Sequence, residues 1–183
     1  MIRPFSVAVY CSSSDRIARS YFDMARALGQ AMAERGWRLV FGAGTVGLMG
    51  EVARAVHDGG GRVFGVIPHA LHELEVTYEE CDELLFTENM RQRKAIMEEN
   101  ADAFIALPGG FGTLEEVSEI IVARQLGYLD RPLVLLDVDG YWQPLVTFFE
   151  QLEMRGFAAD VHRLYDVADS VEEAMGIIEA SQA

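Results

Sequence analysis

Lysine is almost missing from this chain: of its 15 basic residues only Lys94 is one, the rest being arginine. Chemistry through a lysine Schiff base, as in a pyridoxal-phosphate decarboxylase, therefore has a single candidate, and it sits among arginines. Cysteine is scarce too. Cys11 and Cys81 are too few for a disulfide framework, and no C-x-x-C pair offers metal-ligand spacing, so neither metal nor cofactor is expected. No run approaches the roughly 18 apolar residues of a membrane span. The start, MIRPFSVAVYCSSSD, lacks the charged lead and longer apolar stretch of a signal peptide. A reducing compartment, the cytoplasm, is the expectation. Positive charge is also short. Fifteen basic against 29 acidic residues leave a net charge of -14, which argues against nucleic-acid partners and anionic membrane surfaces.

What is present suits one α/β domain over residues 1–183, half of them hydrophobic. Short apolar runs alternate with longer amphipathic ones. Strands are expected at Ser6–Cys11, Arg38–Phe41, Arg62–Ile67, Leu84–Phe86, Ala103–Leu107, Leu133–Asp137 and Tyr165–Val167. Helices are expected from a cap at Asp15 to Arg35, then over Gly47–His57, Asn89–Asn100, Thr113–Leu126, Tyr141–Arg155 and from Ser170 onward. Pro68–Cys81 reads as irregular. Strands apolar on both faces, alternating with helices, predict a doubly wound parallel sheet covered by helices on both sides. Ligands of such sheets sit beyond the carboxyl ends of the strands, and three motifs fall there.

The first is Gly42-Ala43-Gly44-Thr45-Val46-Gly47, a G-x-G-x-x-G turn between a strand and a helix. NAD binding would need an acid at the end of the next strand, where Pro68, His69 and Ala70 stand instead. A phosphate site around Gly44 and Gly47, or a tightly packed turn, remain the two readings. The second motif is Pro108-Gly109-Gly110-Phe111-Gly112-Thr113-Leu114-Glu115-Glu116. Its glycines permit a concave run of N–H donors at a helix start, a cradle for phosphate. Glu116 is either the far half of a Thr113-x-x-Glu116 capping box or a carboxylate serving chemistry at the sugar. The third is Glu88-Asn89-Met90-Arg91-Gln92-Arg93-Lys94. Helical spacing puts Arg93 on the face of Met90 and Met97, so it needs a partner: a structural carboxylate or a ligand in the cleft.

Together, in this order, these motifs resemble the Lonely Guy family of cytokinin-activating phosphoribohydrolases, long mislabelled as lysine decarboxylases. The resemblance runs from VAVYCSSS at 7–14 through FGAGTVGLMGEVARAVHDGG at 41–60 to LDVDGYW at 136–142. It implies a Rossmann-like fold and hydrolysis of the N-glycosidic bond of a nucleoside 5′-monophosphate, giving free base and ribose 5-phosphate. It implies that Arg93 and Glu116 are the essential pair. Gly109, Gly110, Phe111, Gly112 and Thr113, with Leu114 and Glu115 beyond, match the phosphate loop, and Lys94 and Glu75 match ligand-contacting residues. It further implies a homodimer with the Asn89–Asn100 region near its interface. Three features depart from the family pattern: Ala43 within the first glycine run, Arg91 in place of a histidine, and Val122-Ala123 in place of a small polar residue and a tryptophan. A non-catalytic nucleotide carrier or sensor on the same sheet is the rival reading.

Overall fold

The computed structural model describes residues 3–73 and 77–182. Seven strands form one parallel sheet: β1 (Ser6–Tyr10), β2 (Arg38–Phe41), β3 (Val63–Pro68), β4 (Glu83–Thr87), β5 (Ala103–Ala106), β6 (Leu133–Leu136) and β7 (Asp166–Ala168). Their order, β4-β3-β2-β1-β5-β6-β7, is that of a doubly wound sheet. The chain winds outward from β1 to β4, returns to β5 on the other side of β1, and winds outward again. The direction reverses between β1 and β5, which opens a crevice at their carboxyl ends.

The helices are α1 (Arg19–Glu34), α2 (Gly47–Asp58), α3 (His69–His72), α4 (Met90–Glu99), α5 (Phe111–Gln125), α6 (Gln143–Met154) and α7 (Val171–Ala180). One core joins α1, α2 and α7 to the sheet face carrying Val7, Val9, Leu39 and Phe41. The other joins α4, α5 and α6 to the face carrying Ala8, Tyr10, Val40 and Phe104. Successive residues of β1, β2, β5 and β6 are all buried, as strands covered on both faces must be. β4, at one edge, is largely exposed.

Three expected helix starts move, among them that of α6, which begins at Gln143 rather than Tyr141. Asp15 does not cap α1, which begins at Arg19 after Ala18. The serines before it spend their hydroxyls on local turns: Ser12 Oγ accepts from Ser14 N at 3.0 Å, and Ser14 Oγ from Arg16 N at 3.1 Å. α5 begins at Phe111 rather than Thr113, with Gly110 as its N-cap. Thr113 is then the third helical residue, and the Thr113–Glu116 capping box is out of register. Asn89 and Ser170 do cap their helices, accepting from Gln92 N and Glu173 N. The stretch expected to be irregular holds α3, and Thr77 bridges to Gly44.

Candidate active site

The carboxyl ends of β1, β2 and β5 enclose a cleft of about 370 Å³, within the range of small-molecule sites. Its floor comes from β1, through Tyr10 and Cys11, and from Ser12–Ser14 beyond it. Gly42 follows β2, and Gly110–Thr113 open α5. Met90, Arg93 and Met97 descend from α4, Met49 from α2, and Glu115 and Glu116 from α5.

Arg93 is 8% exposed, and among the described residues no carboxylate pairs with it. Its Nε is buried without a partner, and Nη1 reaches only the Met90 sulfur at 3.5 Å. A guanidinium held this way has hydrogen-bonding capacity left unused beside the cleft. Gly42 makes room for it. A Cβ placed on Gly42 would stand 1.5 Å from Arg93 Nη2 and 2.7 Å from Cζ.

Glu116 faces the same space. Burial pushes its carboxyl up to about 7, Arg93 pulls it down, and Glu115 adds to the rise. A carboxylate that titrates near neutrality is suited to take a proton from water. Burial also raises the Tyr10 phenol and the Cys11 thiol, and the nearby Glu116 charge adds to both.

The helix start supplies the complement for an anion. α5 carries no side-chain cap, and nothing lies within 4 Å of where a Cβ would stand on Gly110 or Gly112. Gly109 leaves space for Thr113, since a Cβ there would come within 2.0 Å of Thr113 Oγ1. Thr113 itself is 3% exposed and lines the cleft. The N–H groups of this first turn, with the helix dipole behind them, are donors of the kind that suit an anion, in an otherwise acidic molecule.

The other expected residues fall elsewhere. Gly109 lines a smaller adjoining pocket with Ile17, Tyr21 and Tyr141. Leu114 packs into the core under α5. Lys94 lies between α4 and α5, its Nζ 2.6 Å from Glu115 and 2.8 Å from Glu119. Gly44 and Gly47 do not line the cleft. Gly47, at φ +67°, backs onto the Ser12–Ser14 backbone, and Leu48 N donates to Ser12 O, so α2 braces the β1 loop. That favours the packed-turn reading of the first glycine motif. Glu75 lies outside the described residues. The cleft also takes Gly42, which opens the first glycine motif, Tyr10 and Ser12–Ser14 from the VAVYCSSS segment, and Met49, none of them among the expected site residues. Tyr10, Ser12–Ser14 and Gly42 could be placed there by their position at or just after the ends of β1 and β2, whereas Met49, within α2, carries no such signal.

The family model described as "Possible lysine decarboxylase" matches residues 49–178. The cytokinin riboside 5'-monophosphate phosphoribohydrolase LOG of Oryza sativa subsp. japonica is 47% identical over 168 residues, which span 91% of this chain and 69% of that one. LOG3 of Arabidopsis thaliana is 46% identical over 157 residues, 86% of this chain and 73% of its own. Among solved structures, the molybdenum cofactor carrier protein of Chlamydomonas reinhardtii superposes with a TM-score of 0.76 at 25% identity, covering 97% and 98% of the two chains. A molybdenum cofactor binding protein from Rippkaea orientalis gives 0.77 at 21% identity over the whole of both chains, which shows the shared fold. With the family model covering most of its length and relatives nearly half identical, the chain belongs to the Lonely Guy family, the family of the cytokinin riboside 5'-monophosphate phosphoribohydrolases.

Proposed function

We infer that the protein hydrolyses the N-glycosidic bond of nucleoside 5′-monophosphates of the adenosine type, N6-substituted or plain. The products are the free base and ribose 5-phosphate. The observation that carries this reading is the convergence, in one cleft, of an unpartnered buried Arg93, a Glu116 that titrates near neutrality, and an uncapped helix start. Phosphate sits on the N–H groups from Gly110 to Thr113. Breaking the C1′–N bond builds positive charge on the ribose, as in other glycoside hydrolyses. Ionised Glu116 stabilises that charge and draws a proton from the attacking water. The hydroxyl goes to C1′, the electron pair of the broken bond goes to the base, and the proton taken from water ends on the base, which returns Glu116 to its carboxylate form. Arg93 holds the nucleotide and stabilises the electrons on the departing base. It stays charged throughout.

The molecule acts as a homodimer. Phe111 at the start of α5, Val122 and Leu126 at its end, and Phe148 on α6 are exposed apolar side chains. Among the described residues, α1, α2 and α7 expose no large apolar side chain. An apolar face on the helix layer that also walls the cleft supports a subunit interface there. Cys11 and Cys81 are free, which fits a reducing compartment such as the cytoplasm.

A carrier without turnover is the second reading, favoured by the likeness to the Chlamydomonas carrier protein. Incubation with AMP and N6-isopentenyl-AMP, with chromatography of released bases, separates the two. Free adenine or isopentenyladenine supports hydrolysis, and binding without release supports the carrier.

A further inference from the structure

Lys94, the only lysine in the chain, invites the reading of a phosphate ligand beside Arg93. Its geometry says otherwise. Consecutive helix positions point about 100° apart, so with Arg93 in the cleft Lys94 turns toward α5. There its ammonium is held between Glu115 at 2.6 Å and Glu119 at 2.8 Å, and its side chain is only 11% exposed. It does not line the cleft.

Glu115 and Glu119 are not ordinary surface acids. They lie one residue before and three residues after Glu116, so α5 carries three carboxylates within five residues. The charged and titratable groups facing Glu116 are Arg93 and Lys94 from α4, Glu115 and Glu119 from its own helix, and Tyr10 and Cys11 from β1. Lys94 is bonded to both flanking acids and only acts on Glu116 through space.

We propose that Lys94 is a positioning residue: it neutralises Glu115 and Glu119 so that Glu116 ionises in the working pH range, and it does not touch the nucleotide. The proposal rests on the reading of Glu116 given above. Without Lys94, two negative charges within a helical turn oppose ionisation of a third in a partly desolvated site. The burial of Lys94 opposes its charge, but the hydrogen bonds it donates to Glu115 and Glu119 outweigh that, and its ammonium titrates above the ordinary lysine range. Lys94 is thus a fixed charge at any working pH.

The test is the pH profile of kcat/KM for AMP in the whole protein. Lys94→Met should move the acid limb up by about one pH unit, an about ten-fold loss below the limb, with KM little changed at about pH 9. Glu115→Gln/Glu119→Gln should move the limb the opposite way, and this arm remains informative if the lysine variant folds poorly. Lys94→Met/Glu115→Gln has the same cluster charge as the native protein, so its limb should return toward the native position. A limb that stays in place while Lys94→Met raises KM at every pH would overturn the proposal and make Lys94 a ligand. A limb that the glutamate pair fails to move would overturn it as well. Glu116→Gln, run alongside, distinguishes the two levels: native turnover there would remove the assignment of Glu116 itself.

Discussion

The guanidinium of Arg93 occupies the space that a side chain on Gly42 would fill. The two residues are 51 positions apart, on α4 and after β2, and the cleft depends on their fit. Gly42→Ala should therefore push Arg93 out of place while the sheet still forms. The expected result is a fall in kcat/KM of about 100-fold, the order of loss that a displacement of about 1 Å can cause. Circular dichroism should remain native. An active Gly42→Ala protein would show that the position of Arg93 is not critical.

Arg93 should cost the fold stability. It is buried, its Nε is unpartnered, and among the described residues no carboxylate lies within ion-pair distance, Glu116 acting on it only through space. Arg93→Met keeps much of the volume and removes the charge. Urea unfolding should show a gain of about 1–2 kcal/mol, while base release falls to background. A loss of stability would mean that Arg93 is structural.

Glu116 gives a stability prediction with a definite sign. Its folded carboxyl titrates at about 7 against an ordinary 4.5, mainly because burial disfavours the charge. The folded state therefore binds more protons than the unfolded state between those values, and stability falls as pH rises through them. Glu116→Gln removes the penalty. It should be more stable than the native protein by on the order of 2–3 kcal/mol at about pH 8, with little difference near pH 4. Equal stability at both pH values would show that Glu116 is not desolvated.

The dimer proposal is tested on α5. Val122 and Leu126, 50% and 60% exposed, stand one turn apart on its outer face. Val122→Asp/Leu126→Asp should halve the mass seen by light scattering and lower activity, because α5 also carries Glu116. An unchanged mass would place the interface elsewhere.

Much of this was legible in the sequence. Runs such as AFIAL and PLVLL are apolar at every position, which only a strand buried on both faces tolerates. The 3.6-residue period placed Arg93 with Met90 and Met97 and raised the question of its partner. The helix starts at Asp15 and Thr113 were misplaced for local reasons. A serine run spends its hydroxyls on its own backbone, and glycines at 110 and 112 give no propensity signal for a helix that begins between them. The partners of Lys94 and the space at Gly42 depend on contacts across 21 to 51 residues of chain, which no local pattern encodes.

Everything above turns on the proposed role of Glu116 in hydrolysing a nucleotide bound in the Arg93 cleft. The most direct measurement is release of free base from AMP by Glu116→Gln, with AMP binding to the same sample followed by calorimetry. Binding should stay within a few-fold of native, with base release reduced by at least about 1,000-fold. Base release at the native rate, with binding intact, would contradict it.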